Sequence, residues 1–233
     1  MAAPLLTDLT DGVLALTLNR PEKRNALSIE LRQAIAAALS ELDTESVGAV
    51  TITGAPPAFC SGMDVSQFGG DDANRRALVE SSLACMNAVG SCPVPVIAAV
   101  NGPALAGGFV LALAADIRIA EPAASFGFPE LPRGIPPSFA WARATLPAAL
   151  ARELCLSGRL LDAAEAERLG VVSRLVGEGE TSTAAARLAT EIASRPRRAV
   201  TESKRRVLLE RSTLYGFLFE DEERMFRRAL GTG

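Results

Sequence analysis

Histidine is absent from the 233-residue sequence, and its absence removes several kinds of enzyme from consideration. Ser-His-Asp and Cys-His mechanisms both need an imidazole as the general base. The cysteines, Cys60, Cys85, Cys92 and Cys155, include no pair with CxxC spacing, so the sequence predicts no zinc site or other metal centre. We interpret these cysteines as small buried hydrophobes in a reducing compartment.

A surplus of positive charge is also missing, because 24 Lys and Arg face 27 Asp and Glu, for a net charge of −3. This balance argues against nucleic-acid binding. The most apolar stretch, residues 94–115, is interrupted by two prolines and an Asn-Gly pair, and it lacks the run of about 20 apolar residues that spans a membrane. Residues 1–11 have no basic segment before an apolar stretch, so no signal peptide is expected. We expect a soluble, cytoplasmic protein.

Residues 1–120 alternate between strand-like and helix-like segments, a pattern typical of parallel βα units. Apolar runs predict strands at residues 13–18, 47–53, 94–100 and 116–120. Ser28 and Asp71 or Asp72 are N-cap candidates for helices that reach residues 42 and 89, and a third helix is predicted over 105–115. The remaining sequence predicts a short strand at residues 171–176. It also predicts five helices, at residues 138–157, 162–169, 183–194, 197–211 and 213–230. The fold class is α/β with a helical C-terminal part.

Three short segments combine glycine, polar and apolar residues in a way that suggests a reactive site. Residues 59–64 (Phe-Cys-Ser-Gly-Met-Asp) follow a strand and a loop, and residues 101–110 (Asn-Gly-Pro-Ala-Leu-Ala-Gly-Gly-Phe-Val) turn through glycines into a helix. Free N–H groups at a helix N-terminus point outward, and the helix dipole favours negative charge there. Residues 126–131 (Phe-Gly-Phe-Pro-Glu-Leu) add a carboxylate beside a proline.

Two N–H groups that converge on one oxygen would form an oxyanion hole, in which one donor contributes roughly 3 kcal/mol of transition-state stabilisation. Burial of Glu130 in its apolar loop would raise the pKa of its carboxyl toward the range useful for acid/base catalysis. Each segment alone also fits close packing, an ordinary turn or a solvated glutamate. Their order and spacing together carry the prediction.

These segments, in this order, resemble the crotonase superfamily of enoyl-CoA hydratases and isomerases. The resemblance includes Asn-Arg-Pro-Glu-Lys-Arg-Asn-Ala-Leu-Ser at residues 19–28 and Leu-Ser-Gly at 156–158. It implies a crotonase-like spiral of ββα units over residues 1–180 and a helical trimerisation region over 181–233. It also implies a homotrimer or dimer of trimers, and an acyl-CoA thioester substrate with no cofactor beyond the coenzyme A that this substrate carries.

The resemblance also implies a role for each site residue. Met63 and Gly107 would donate the two oxyanion N–H groups, and Glu130 would be the catalytic acid/base. For Asp64 we favour a role as a cap or turn acceptor over a catalytic one. The loop that lines the acyl-pantetheine channel would contribute substrate contacts from Ser61, Gly62, Asp64 and Val65. The stretch near the CoA nucleotide would contribute Arg24 and Ala26. The start of the third helix would contribute Gly108 and Val110.

One position departs from the pattern of the family's hydratases. Those enzymes hold and activate water with two glutamates, of which the first matches Val110 and the second matches Glu130. An apolar side chain can neither orient water nor move a proton. One glutamate is enough for the family's Δ3,Δ2-enoyl-CoA isomerases, and carboxymethylproline-synthase-like members also keep only the second glutamate, for carbon–carbon bond formation.

Three functions therefore stay open. The leading hypothesis is an isomerase that acts through Glu130, and the second is a hydratase in which Glu130 alone activates water. The third is a non-catalytic acyl-CoA-binding subunit, suggested by Val110 and by the end of the sequence at Gly233, beyond which family members commonly continue. The lack of histidine argues against the family's histidine-using decarboxylases and carbon–carbon hydrolases. The basic residues of 195–206 fit a solvated helix face better than a phosphate site.

Overall fold

The computed structural model describes residues 2–232, in which strands and helices alternate up to residue 175 and only helices follow. The strands are β1 (Leu5–Thr10), β2 (Val13–Leu18), β3 (Ala49–Gly54), β4 (Val96–Val100), β5 (Ala104–Leu105), β6 (Ile117–Ala120), β7 (Ser125–Gly127), β8 (Leu160–Asp162) and β9 (Arg174–Leu175). The α-helices are α1 (Ile29–Ser40), α2 (Asp72–Gly90), α3 (Gly107–Ala114), α4 (Phe139–Thr145), α5 (Ala148–Ser157), α6 (Ala163–Arg168), α7 (Thr181–Ala193) and α8 (Arg197–Ala229). No helix among these residues has the length and apolar character of a membrane-crossing segment.

A six-stranded sheet with the order β1-β2-β3-β4-β6-β9 forms the main layer. β1 and β2 are antiparallel, and every other neighbouring pair in this sheet is parallel. The predicted alternation of parallel βα units over residues 1–120 is confirmed. The sequence analysis missed β1, because only Leu5 of this edge strand is buried and the strand therefore lacks an apolar alternation.

A second, three-stranded sheet with the order β5-β7-β8 brings two of the reactive segments together. Ala104 pairs with Phe126 and Leu105 pairs with Gly127, so the start of α3 lies beside the chain that leads to Glu130. These strands have only two or three residues each, which is too short for a periodic pattern, and the sequence analysis missed all three.

Helices cover both faces of the main sheet. The larger core includes buried residues of α1, α2 and α3, and Phe109 of α3 packs with its ring centroid 5.7 Å from that of Phe126 and 5.1 Å from that of Phe128. On the other face, the small residues Ala184 and Ala185 of α7 pack against strand residues such as Ala49. The division of the chain into a spiral core over residues 1–180 and a helical trimerisation region over residues 181–233 stays a prediction.

Two helix predictions need correction. The helix expected over residues 138–157 is two helices, because Leu146 is extended (φ −103°, ψ 156°) as the residue before Pro147. The helices expected over 197–211 and 213–230 are the single helix α8, and Ser212 does not break it because its hydroxyl bonds to the Leu209 carbonyl inside the helix. The predicted strand over 171–176 is limited to β9, and the helix predicted from residue 105 begins at Gly107.

The long helix α8 crosses several earlier elements and is fixed to them by side chains. Lys204 Nζ lies 2.6 Å from Asp116 Oδ2, and Arg211 donates to the Gly90 carbonyl. Further along the helix, Glu222 binds the start of α4, and Arg227 Nη1 lies 2.6 Å from Glu80 Oε1. Lys204, to which the sequence assigned no role, is therefore the buried partner of an ion pair.

Candidate active site

The Met63 loop is held against the entry to α1 by a short parallel bridge between Leu27 and Met63. The Leu27 N–H donates to the Gly62 carbonyl (2.8 Å), and the Leu27 carbonyl accepts from the Asp64 N–H (3.3 Å). In a parallel bridge of this kind, the N–H and C=O groups of the residue between Gly62 and Asp64 point away from the partner strand. The Met63 N–H therefore faces away from α1 and toward α3.

Gly107 supplies the second N–H as the first residue of α3, where no partner exists inside the helix. The residue before it, Ala106, has φ 52° and ψ −126°, a conformation that costs about 1–3 kcal/mol for a residue with a Cβ. This backbone angle sets the direction of the Gly107 N–H. Within residues 2–232, neither the Gly107 N–H nor the Met63 N–H donates a hydrogen bond to another protein group.

The glycines around these donors serve different purposes. Gly62 has φ 100°, and a Cβ there would come within 2.9 Å of the Ala106 side chain. A Cβ on Gly108 would lie 2.1 Å from the Cys60 carbonyl oxygen, so Gly108 is required for close packing. A Cβ on Gly107 would lie 3.5 Å from Met63 N, which is an ordinary contact. Packing therefore does not require glycine at position 107. The short distance between residue 107 and Met63 N nevertheless brings the two N–H donors together.

Glu130 follows β7 and precedes a 3-10 turn over Leu131–Arg133, and its carbonyl accepts from the Arg133 and Ile135 N–H groups. Burial raises the pKa of its carboxyl to about 7, against smaller lowering effects from a backbone hydrogen bond and from Arg133. Oε2 is buried and has no hydrogen-bond partner in residues 2–232. The carboxyl can therefore gain or lose a proton near neutral pH, as a general acid/base requires.

Val110 lies one helical turn after Gly107 and is 7 % exposed, and its N–H donates to the Ala106 carbonyl (3.0 Å). The side chain adds an apolar surface next to the helix start and supplies no group that exchanges a proton. Of the two positions that the sequence analysis matched to the hydratase glutamates, Val110 and Glu130, only the second holds a carboxyl group.

Asp64 fills the structural role predicted for it. Its Oδ1 accepts from the Ser66 N–H (3.1 Å) and caps a 3-10 turn, while Oδ2 lies 2.8 Å from Arg20 Nη2. Burial acts to raise the pKa of Asp64, but the hydrogen bonds from Ser66 and Arg20 outweigh it and hold the pKa below its ordinary value. Arg20 also donates to the Ala26 carbonyl, so one side chain fastens both loops.

The other predicted contact residues lie on these two fastened loops. The Ser61 N–H donates to the carbonyl of Arg24 (3.0 Å), which is itself in a left-handed conformation with φ 51°. The backbones of residues 24–26 and 61–65 are thus adjacent. Val65 is 66 % exposed, whereas Ala26 is buried. Of the basic residues of 195–206, Arg195, Arg205 and Arg206 form exposed ion pairs with glutamates three or four residues earlier, as predicted for a solvated face. Arg197 and Lys204 depart from that prediction, because Arg197 donates to the Thr44 and Val47 carbonyls and Lys204 is buried.

Sequence reasoning missed three side chains that hold the site. Arg20 and Asn25 belong to the motif at residues 19–28 that carried the resemblance, so the sequence did contain a signal for them. Asn25 Nδ2 donates to the Ala55 and Ala58 carbonyls (2.8 and 2.7 Å). Glu222 gave no such signal, because it acts on a distant part of the chain. Its carboxylate accepts from the Ser138 hydroxyl and from the Ala140 N–H (2.8 Å), and so caps α4 at the far end of the loop after Glu130.

Comparison with known proteins supports this picture. Residues 8–228 match the family model described as enoyl-CoA hydratase/isomerase. The chain is 36% identical over 234 residues to "Probable enoyl-CoA hydratase echA8" of Mycobacterium bovis, covering 98% of this chain and 90% of that protein. It superimposes on an enoyl-CoA hydratase/isomerase from Xanthobacter autotrophicus Py2 with a TM-score of 0.82 and 32% identity, covering 100% of this chain and 88% of that one. An enoyl-CoA hydratase from Mycobacterium avium subsp. paratuberculosis gives a TM-score of 0.87 at 27% identity, covering 100% and 95% of the two chains.

Proposed function

The chain belongs to the enoyl-CoA hydratase/isomerase family, with the crotonase fold, and from this premise we propose that it is a Δ3,Δ2-enoyl-CoA isomerase that uses Glu130 as its acid/base. The observation that carries the proposal is a buried carboxyl with a pKa of about 7 and a free oxygen, while the apolar Val110 stands where the resemblance places the first glutamate of the hydratases. We further propose that the enzyme is a cytoplasmic homotrimer or dimer of trimers that needs no cofactor.

In the proposed reaction, the Glu130 carboxylate removes a proton from C2 of a 3-enoyl-CoA. The electron pair of the broken C–H bond shifts toward the thioester carbonyl, and the oxygen becomes an enolate that accepts hydrogen bonds from the Met63 and Gly107 N–H groups. The same proton then returns to C4, the C3–C4 double bond moves to C2–C3, and Glu130 is again ionised. No water or second carboxylate takes part, which is why an apolar Val110 is compatible with this chemistry.

The remaining contacts are proposed from the placement of the two loops. Ser61, Gly62, Asp64 and Val65 would line the pantetheine channel, with Asp64 acting through its hold on the loop. Arg24 and Ala26 would lie at the CoA nucleotide. Gly108 and Val110 would flank the acyl group. The Arg24 side chain is exposed and would contact a phosphate of the bound CoA.

A hydratase is the second candidate, because the relatives cited above carry that name. Glu130 would then activate water alone. A Val110→Glu variant tests this alternative directly, since a second carboxylate would complete the water-binding pair. If hydration of crotonyl-CoA is already measurable and rises at least tenfold in this variant, the hydratase is favoured.

The deciding experiment is incubation with 3-hexenoyl-CoA in deuterated water, followed by mass and ultraviolet absorbance. The Glu130→Gln variant runs beside it, and Glu178→Gln, which changes an exposed carboxylate, is the matched control. Formation of the conjugated 2-enoyl thioester that is lost only in Glu130→Gln supports the isomerase. Full activity in Glu130→Gln would refute the assignment. Binding without turnover or deuterium uptake would instead indicate a non-catalytic acyl-CoA-binding subunit.

A further inference from the structure

The apolar face of α1 contains one arginine. Leu31, Arg32, Ile35 and Leu39 are the buried residues of this helix, and Arg32 is 0% exposed. A guanidinium in this position is unusual, because arginine is almost never fully buried without a partner. Its presence in the apolar face of α1 therefore requires an explanation.

No partner for the Arg32 guanidinium exists in residues 2–232: Nε, Nη1 and Nη2 are all buried and all without a hydrogen bond. Arg118 provides an internal comparison at 8 % exposure. Its guanidinium donates to the carbonyls of Val171 (2.6 Å), Ala115 (2.9 Å) and Ala112 (3.3 Å). The fold thus satisfies one buried guanidinium with backbone carbonyls and leaves the other unsatisfied.

An anion is the partner that best suits the Arg32 guanidinium. Burial lowers the pKa of Arg32 to about 10, so the side chain is still a cation at neutral pH. The acidic groups whose charge reaches it are already engaged. Asp64 binds Arg20 and Ser66, and Glu30 is an exposed residue that accepts from Gln67. A buried cation without a counter-charge is strongly unfavourable, and no group of residues 2–232 forms a hydrogen bond with the Arg32 guanidinium.

The backbone of Arg32 lies close to the candidate site for the thioester. Its N–H donates to the Ser28 carbonyl (3.0 Å), which places it one helical turn, about 5.4 Å, beyond the residue that follows Leu27. Leu27 pairs with Met63, and its Cδ1 lies 3.6 Å from the Cβ position of Gly107. Burial raises the pKa of the Cys85 thiol and the positive charge of Arg32 acts in the opposite direction, so the Arg32 side chain lies on the side of α1 that faces α2.

We propose that Arg32 binds a carboxylate at the far end of the acyl group, so that the preferred ligands are CoA monothioesters of short dicarboxylic acids. The planar guanidinium matches a carboxylate with two parallel hydrogen bonds, and burial strengthens such a pair. This inference rests on the proposed function, because it assumes that a thioester carbonyl occupies the site formed by Met63 and Gly107.

The test compares two thioesters that differ only at the far end: glutaconyl-CoA, with a carboxylate, and trans-2-pentenoyl-CoA, with a methyl group in its place. Dissociation constants are measured by calorimetry for the wild type and for Arg32→Met. We expect the wild type to bind glutaconyl-CoA at least tenfold more tightly than pentenoyl-CoA, and Arg32→Met to bind the two equally. Without ligand, Arg32→Met should melt at the same temperature as the wild type or higher, whereas Arg118→Met should melt lower.

Four results would overturn the inference. They are equal binding of the two thioesters by the wild type, a preference that survives in Arg32→Met, a strong loss of stability or failure to fold in Arg32→Met, and saturation of Arg32 by free glutarate or chloride without any thioester. The third would reveal a structural partner, and the last a small-anion site. If neither thioester binds, the proposed function fails together with the inference. If pentenoyl-CoA binds and no preference appears, only the inference fails.

Discussion

Replacement of Gly107 by alanine should separate catalysis from folding. The added Cβ would lie 3.5 Å from Met63 N and 3.6 Å from Leu27 Cδ1 and from Met63 Cγ, which are ordinary contacts. Gly107 is a helical residue, and its φ is not positive. Because alanine restricts the unfolded chain, the free energy of unfolding should change by less than about 1 kcal/mol, toward greater stability.

The same methyl group crowds the space in front of the Met63 N–H, where the enolate oxygen of the proposed reaction would sit. Loss of one oxyanion donor costs about 10²–10³ in kcat, or roughly 3–4 kcal/mol. We therefore expect turnover of 3-hexenoyl-CoA to fall by this factor in Gly107→Ala, while urea denaturation gives an unchanged or slightly raised midpoint. The neighbouring Gly108→Ala is the matched control, since its Cβ would lie 2.1 Å from the Cys60 carbonyl oxygen and should destabilise the fold itself.

Either of two results would refute this reasoning. If Gly107→Ala turns over within threefold of the wild type, the enolate oxygen does not sit in front of the Met63 N–H. If Gly107→Ala unfolds as readily as Gly108→Ala, the glycine at position 107 is required for packing and its effect on activity says nothing about catalysis.

Three further changes test the site and its support. Because Glu130 must be ionised to act as a base and burial raises its pKa to about 7, kcat/KM should fall about tenfold per pH unit below 7. The raised pKa also means that wild-type stability declines, relative to Glu130→Gln, as pH rises from about 4.5 through 7; a constant difference between their melting temperatures would contradict this sign. Lys204→Ala removes the ion-pair partner of Asp116, which keeps only its hydrogen bond from the Val96 N–H, and should cost about 3 kcal/mol by urea denaturation. Glu222→Ala removes the acceptor for Ala140 and should cost about 1–3 kcal/mol, with little effect expected for Glu222→Gln in which an acceptor oxygen remains.

Local signals in the sequence predicted much of the fold. Ser28 and Asp71 are N-caps as expected, since their side chains accept from the N–H groups of Leu31 (3.2 Å) and Asn74 (2.8 Å). The parallel strands β2, β3 and β4 were predicted from continuous apolar runs. β5, β7 and β8 were not, because two or three residues carry no periodicity and their pairing depends on neighbours far along the chain.

The residues of the candidate site could likewise be predicted from the sequence only in part. Met63, Gly107 and Glu130 lie in segments whose glycine and proline spacing could be recognised. The pairing of β5 with β7 joins the segments of Gly107 and Glu130, and a bridge between Cys60 and Ala104 joins the segment of Met63 to them. The roles of Glu222 and Arg32 could not be predicted. A glutamate on a charged helix and an arginine in a helix look like solvated residues in sequence, and only tertiary packing reveals that one caps another helix and the other is sealed inside.

The attachment of α8 has a consequence for the order in which the protein matures. Met63, Gly107 and Glu130 all leave the ribosome long before α8 does, yet the loop after Glu130 is fixed at Ser138 by Glu222. During synthesis the main sheet and the backbone at Met63 and Gly107 can therefore form while the loop that carries the proposed base still lacks its final support. Activity should appear late, as a separate step, when the last third of α8 emerges and docks.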